Sequence, residues 1–342
     1  MDGNRRKLRE VTALTNRTIN GRAVNAIGLG CMSLSHAYGP PPSRAEGARL
    51  LGRALDLGYD HLDTARIYGL GRNEALIGEA LQGRHREFFL ASKTGIIVDG
   101  DKRRVDCRPE TILAALEESL TLLKTDHIDL YYLHRPDFTV PIEDSMGALA
   151  SAVAAGKIGS IGLSEMSAET LHRAVAVHPV AAMQTEYSLW TRNPEIAVLR
   201  ACAETGATFV AFSPVGRGAL ADGVRDPMLL AEGDMRRSMP RFNAENWPVN
   251  RALIEHFNAL AAELGHTPAQ LSLAWVLAQA DHIVAIPGTG VEAHMAENFA
   301  ASDIVLDAAT LARLDAMINR HTVSGGRYTA AMQSIVATEE FD

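Results

Sequence analysis

Four side chains able to hold or move a proton, Asp63, Tyr68, Lys93 and His134, stand where short β-rich runs give out. Asp63 and Tyr68 share the stretch HLDTARIYGLGRNEALIGEAL, Lys93 ends LASK and His134 follows LYYL. Each has a plain alternative: a turn-capping carboxylate, a packed loop phenol, a solvated lysine, a satisfied histidine near the core. Their joint occurrence at three successive strand ends favours chemistry. A phenol, with a reference pKa of about 10, is a poor acid at neutral pH, and a cation within about 4–6 Å eases release of its proton. Lys93 can supply that cation, Asp63 can hold the ammonium charged, and His134 can hydrogen-bond and orient the same substrate oxygen. Such a set donates a proton to a carbonyl oxygen that is becoming an alkoxide. The accompanying hydride requires a cofactor.

Positioning such a set demands many strand ends on one face. The sequence offers eight candidate strands: 27–30, 59–63, 88–92, 129–134, 158–163, 181–185, 208–212 and 283–287. Helical segments alternate with them, opened by Pro109, Pro141, Ser167 and Asn193-Pro194, with Gly156 as one stop. Eight strand–helix units predict an α/β fold, a (β/α)8 TIM barrel, whose activity would sit at the strand C-termini. A doubly wound sheet also alternates, but no linker or composition shift divides the chain as that fold normally would. One domain over residues 1–342 is expected, with the barrel at about 26–300 and a C-terminal extension at 301–342. A β-hairpin turning at Asn20-Gly21 precedes the first strand and could plug the barrel bottom. A long loop follows strand seven (residues 213–248), and a last helix at 307–319 precedes a tail.

Composition narrows the function. A net charge of −8 argues against nucleic-acid binding, and the basic runs RRKLR near the N-terminus and Lys102-Arg103-Arg104 read as solvated surface. The first ten residues lack the apolar core of a signal peptide, and no later stretch is long and apolar enough for a membrane span, so a cytoplasmic protein without membrane contact is expected. The three cysteines show no CxxC spacing and the histidines do not cluster, so neither disulfide nor metal is expected. Gly28-Leu29-Gly30 begins like a dinucleotide fingerprint, but Ser33 occupies the third small-residue position, and strand packing is the better account. A homo-oligomer is left open.

The ordered stretches HLDTARIYGLGRNEALIGEAL, LASKTG, LYYLHRPD, GLSEMS, MQTEYSLW, FSPVGRGAL and IPGTG followed by AEN resemble the successive motifs of the aldo-keto reductases, from about Ala26 to Ala300. GLSE and EYSLW are most similar to those of the pyridoxal reductase and perakine reductase type. The resemblance implies Tyr68 as general acid/base, with Asp63, Lys93 and His134 completing a tetrad, and NADP(H) favoured over NAD(H). It implies that Gly30, Met32 and Asp63 border the cofactor, Ser164 and Gln184 bind its carboxamide, and Phe212 stacks on nicotinamide. Ser213, Pro214, Gly216, Arg217 and Gly218 would form the loop whose amides meet the pyrophosphate. Gly288, Thr289, Gly290, His294, Glu297 and Asn298 would form the adenosine end.

Two positions depart from that pattern. Glu165 stands where many family members have asparagine, which puts one carboxamide contact in doubt. Gly290 to His294 lacks the lysine or arginine expected for a 2′-phosphate, and Glu292 would disfavour that dianion; it could suit the free 2′-hydroxyl of NAD or equally point into solvent. Arg217, Arg236, Arg237 or Arg241 from the long loop are substitute partners to test. Met32, Ile67, Arg135, Tyr187 and Trp190 are candidates for the substrate pocket, consistent with an apolar or aromatic carbonyl compound, with rim packing their alternative; Arg135 could attract an anionic substrate, though a loop arginine is more often a surface residue, and the substrate is a small carbonyl or alcohol compound. Two other readings remain: a regulatory subunit resembling potassium-channel β subunits on the same scaffold, and a Schiff-base aldolase using Lys93.

Overall fold

The computed structural model describes residues 16–100 and 102–341; the basic run at residues 5–9 and the lead-in to the expected hairpin lie outside the described residues. Asn16–Ile19 and Arg22–Asn25 pair antiparallel about Asn20 and Gly21, both at positive φ, as a tight twisted turn requires.

Eight parallel strands follow: β1 (Leu29–Gly30), β2 (His61–Asp63), β3 (Phe89–Thr94), β4 (Leu130–Leu133), β5 (Ile161–Ser164), β6 (Ala182–Glu186), β7 (Thr208–Phe212) and β8 (Ile283–Ile286). They pair in sequence order. Parallel bridges Ile27 to Ala285 and Gly30 to Gly288 bring the first and last together, making the predicted (β/α)8 barrel. Near-continuous apolar strands suit this sheet, which is covered on both faces.

Two cores result. Inside the barrel, Phe89, Leu130, Tyr132, Val210 and Val284 pack with Ile19 and Val24 of the hairpin, which therefore closes the N-terminal end. Outside, a larger core joins sheet to helices: α1 (Arg44–Leu57), α2 (Arg72–Ala80), α3 (Pro109–Leu123), α4 (Ile142–Ala154), α5 (Ala168–Val177) and α6 (Val198–Thr205). The local signals explain the boundaries. Pro109 sits in the first turn of α3, Ser167 caps α5 by accepting from the Thr170 amide, and Gly156 takes a positive φ just past α4. Gly28, first of the glycines in GLG, lies against His61: a Cβ there would fall 2.7 Å from Nδ1, so this glycine serves close packing.

The structure departs from expectation in three places. A hairpin, Ile96–Asp99 with Lys102–Val105, follows β3 where none was expected, with Asp99-Gly100 at its turn and Gly100 at positive φ. After β7, the segment expected as one long loop is a chain of short 3-10 turns leading to two helices, α7 (Trp247–Glu263) and α8 (Pro268–Ala278), so this unit carries a pair. It crosses to the loop after β1 through Met235 N–H to Ala37 O, 3.1 Å. Beyond α9 (Glu292–Ala300) and α10 (Ala308–Met317), the tail returns to the C-terminal face, where Ala337 N–H meets Glu165 O at 2.8 Å and Asn193 Nδ2 donates to Glu339 O at 2.9 Å. Among the described residues no helix is long and apolar enough to cross a membrane.

Candidate active site

Asp63, Tyr68 and Lys93 meet at the C-terminal mouth of the barrel. β2 and β3 are neighbours with Asp63 opposite Ala91, so the Asp63 and Lys93 side chains both enter the barrel, where they form an ion pair. Lys93 Nζ also donates to Thr64 O at 2.9 Å and to the Tyr68 hydroxyl at 3.5 Å. Gln184 Nε2 donates to the other Asp63 oxygen at 2.8 Å, so its nitrogen is spent on the carboxylate and its oxygen is left for a ligand. Tyr68 opens a tight turn whose Gly69 and Leu70 are left-handed.

The turn is held by polar groups to which sequence reasoning assigned no part. Buried Asn73, at the start of α2, accepts from Thr64 Oγ1 at 2.6 Å and donates to Cys31 O and Ser35 Oγ, while Glu74 accepts from Ser92 Oγ at 2.6 Å. Two consecutive polar residues opening an amphipathic run were the available signal.

Electrostatics correct one expectation. Burial raises the Tyr68 pKa more than the Lys93 charge lowers it, so the phenol stays protonated. Burial also opposes the Lys93 ammonium, but Asp63 and Tyr68 outweigh it and raise its pKa. An ammonium so held is a poor nucleophile, which counts against the Schiff-base alternative. The His134 ring packs edge-on to Tyr68 at 5.7 Å between centroids, with Nδ1 lacking a partner. Burial, then Arg135, Lys93 and His36, lower its pKa well below the usual value, so it is a neutral imidazole.

From Tyr68 a cleft of about 570 Å³ runs to Glu297 and Asn298. Of the residues expected along a cofactor, it is lined by Gly30, Met32, Asp63, Gln184 and Phe212, by Ser213, Pro214, Arg217 and Gly218, and by Gly288, Thr289, Gly290 and His294. Its floor is open because the strands cross at glycine: a Cβ on Gly30 would fall 2.7 Å from Ile286 O. The cleft also takes in Tyr38, Pro40 to Pro42 and Arg236, contributed by the two loops that meet over it. A dinucleotide fits this shape.

Other expected residues lie elsewhere. Ser164 is fully buried, 3.4 Å from Arg135 Nη1. The amides of Gly216 and Gly218 are used within their own turn, on Ser213 O and Val215 O, which removes two of the donors expected for a pyrophosphate. Tyr187 does not line the cleft: it is buried between Phe209 and Trp275 with its hydroxyl on Glu195. Ile67 is buried beside the turn, and Trp190 stacks on Phe242 against a small void with Glu186, Gly216, Arg241 and Arg327. Only Met32 of the five substrate candidates borders the main cleft.

The two departures acquire structural explanations. Glu165, at φ +55°, turns into a buried ion pair with Arg327 of the tail and accepts from Thr338 Oγ1 at 2.7 Å and Glu186 N–H at 3.0 Å. Its carboxylate is therefore committed, and Arg327 holds its pKa below the carboxylate range against the opposing effect of burial. Glu292 does not line the cleft but faces α1, bonded to Arg49 Nη1 at 2.6 Å and Arg53 Nε at 2.8 Å, so it is not placed to receive a 2′-hydroxyl. Arg217 is ion-paired with Glu186, Arg241 donates to Trp190 O and Gly325 O, and Arg237 donates to Leu230 O away from the cleft lining. That leaves Arg236, paired with Asp234, as the one of the four guanidiniums bordering the cleft without a buried barrel carboxylate as its partner. Among the described residues no three His, Cys, Asp or Glu side chains are grouped to hold a metal.

Comparisons with known proteins agree with the barrel fold. The model of the aldo/keto reductase family matches residues 26–319. The chain is 43% identical over 323 residues to a Schizosaccharomyces pombe protein named aldo-keto reductase yakc, NADP(+), covering 92% of this chain and 95% of that one. Among solved structures it is similar to a glycerol dehydrogenase from Gluconobacter oxydans (TM-score 0.84, 27% identity, 93% and 99% of the two chains). It is also similar to an aldo-keto reductase from Klebsiella pneumoniae in complex with NADPH (TM-score 0.69, 27% identity, 89% and 95%).

Proposed function

The chain belongs to the aldo-keto reductase family and is an oxidoreductase of CH–OH and C=O groups, and from that premise we propose that Tyr68 is its general acid/base. The observation that carries this is the Tyr68 hydroxyl 3.5 Å from Lys93 Nζ, itself paired with Asp63, at the inner end of a dinucleotide-sized cleft. When bound there, the nicotinamide supplies hydride in reduction and removes it in oxidation. Tyr68 gives its proton to the carbonyl oxygen, or takes it from the alcohol. Its phenol stays protonated until charge develops on the substrate oxygen, and the Lys93 ammonium then stabilises the phenolate left behind. Neutral His134 positions the carbonyl without competing as an acid. Gln184 keeps Asp63 on Lys93 and offers its oxygen to the carboxamide, and Phe212 offers its ring.

NADP(H) is the cofactor we assign. The Schizosaccharomyces pombe relative carries NADP(+) in its name and the Klebsiella pneumoniae neighbour holds NADPH, and Glu292 is turned aside and neutralised by two arginines. GLSE and EYSLW support a place near the pyridoxal reductase and perakine reductase type. No feature of the cleft favours the regulatory-subunit alternative.

The test is Tyr68→Phe. Carbonyl reduction should be abolished while NADPH, followed by tryptophan quenching, binds as in the parent and more tightly than NADH. Retained turnover, or joint loss of turnover and binding, would contradict the assigned role.

A further inference from the structure

Arg135 follows His134 at the end of β4 and is half-buried. Its Nη1 donates to His134 O at 2.7 Å and to Ser164 Oγ at 3.4 Å, which pins the guanidinium between the histidine of the tetrad and the serine at the end of β5. Those contacts involve one of its three nitrogens. Among the described residues no carboxylate lies within ion-pair distance of it. Its neighbours differ: Arg217 is met by Glu186, Arg327 by Glu165, and Arg236 by Asp234.

The charge around the mouth is unbalanced in the same sense. Lys93, Arg135, Arg217, Arg241 and Arg327 face the carboxylates of Asp63, Glu165, Glu186 and Glu340, so one positive charge is in excess. Arg241 donates to carbonyl and hydroxyl oxygens beside Trp190, away from the lining of the main cleft, with the Glu186 and Glu340 carboxylates acting on its charge. Arg135, just outside the lining of the main cleft, has no carboxylate of its own: it acts at longer range on Glu165, which Arg327 holds, and its positive charge pulls against the burial that raises the Tyr68 pKa and adds to the lowering of that of His134. A partly desolvated guanidinium without an anion is unfavourable, and its planar fork matches a carboxylate.

We propose that Arg135 is a substrate-binding residue and that the substrate carries a carboxylate close to its carbonyl group, as in a 2-oxo acid. The inference rests on the reading of Tyr68 as the proton donor to a carbonyl. The carboxylate takes the free edge of the guanidinium, and the adjacent carbonyl oxygen is then delivered between Tyr68 and His134. Such charge would also oppose entry of cationic carbonyl compounds.

A matched pair isolates the charge: phenylglyoxylate and its methyl ester, each reduced with NADPH by the full chain. The acid should exceed the ester in kcat/KM. Arg135→Gln should lower the acid-to-ester ratio about 10- to 100-fold, the value of a hydrogen bond between charged groups, and Arg135→Lys should recover part of it. Binding of phenylacetate to the protein–NADPH complex, followed by calorimetry, should weaken in parallel. An ester reduced as well as the acid would overturn the inference, as would a ratio unmoved by either variant or a loss in Arg135→Gln explained by weaker NADPH binding. Turnover of the ester with no preference for the acid leaves the reductase reading standing, whereas failure of every carbonyl compound would bring that reading down first.

Discussion

Arg327→Met tests the attachment of the tail to the barrel mouth. Arg327 is 5% exposed, ion-paired to fully buried Glu165, 3.8 Å from Glu186 and stacked over Tyr328 at 4.4 Å. Its contact with Glu165 is one of charge more than of aligned hydrogen bonds, since the guanidinium N–H directions find no acceptor. Methionine keeps most of the volume and removes the charge. Glu165 would then keep only the bonds from Thr338 and Glu186. Breaking a buried pair by removing one partner costs about 3–5 kcal/mol, and for a chain of 342 residues that corresponds to a Tm about 4–7 °C lower. Adding Glu165→Gln removes the stranded charge, so the double variant should recover most of the loss.

The pH dependence has a definite sign. Glu165 is depressed in the folded state, so its contribution is present above the unfolded value of about 4.3 and disappears as pH falls through the folded value. The gap between parent and Arg327→Met should therefore narrow in acid. Calorimetry of the four members of the cycle at several pH values measures this. A single variant as stable as the parent, or a double variant no better than the single, would refute a buried pair that acts as the tail's anchor.

Lys93→Met should lower kcat/KM for carbonyl reduction about 10²-fold or more, because burial alone holds the Tyr68 proton too tightly; an unchanged rate would end that account. His61 is fully buried with both ring nitrogens unpartnered, and burial lowers its pKa. The unfolded chain binds this proton first, so folding stability is lost as pH falls below about 6.5. His61→Leu should flatten that loss in acid titrations of stability, and an identical slope would exclude His61 as a source. Gly30→Ala places a methyl 2.7 Å from a backbone oxygen that cannot turn away; the expected cost is about 1–3 kcal/mol with weaker NADPH binding, read by denaturation and by titration.

Much of the fold was legible because its signals are local. Strand runs, the helix-opening Pro109 and Ser167 and the Asn20-Gly21 turn act through their own residues, and the structure places them within a few positions of expectation. The Ile96–Val105 hairpin was overlooked although Asp99-Gly100 marks its turn, and the irregular segment read over 213–248 ends where the pair α7 and α8 begins, a pair to which no separate signal was assigned. Asp63, Tyr68, Lys93 and His134 were legible as a set because a barrel puts every strand end on one face.

Partnership was not legible. Glu165 and Arg327 are separated by most of the chain's second half, and nothing local says that the tail returns to cover a strand end. Glu292 read as a cofactor residue until the packing of α9 on α1 gave it two arginines, and Tyr187 read as pocket lining until Trp275 and Phe209 enclosed it. The sequence by itself determined which elements form and which chemical groups stand at their ends, because hydrophobic period, caps and turn residues act over a few positions. Only the tertiary structure decided which charges are spent on each other and which are left for a ligand, because ion pairing and desolvation depend on distance through space and not along the chain.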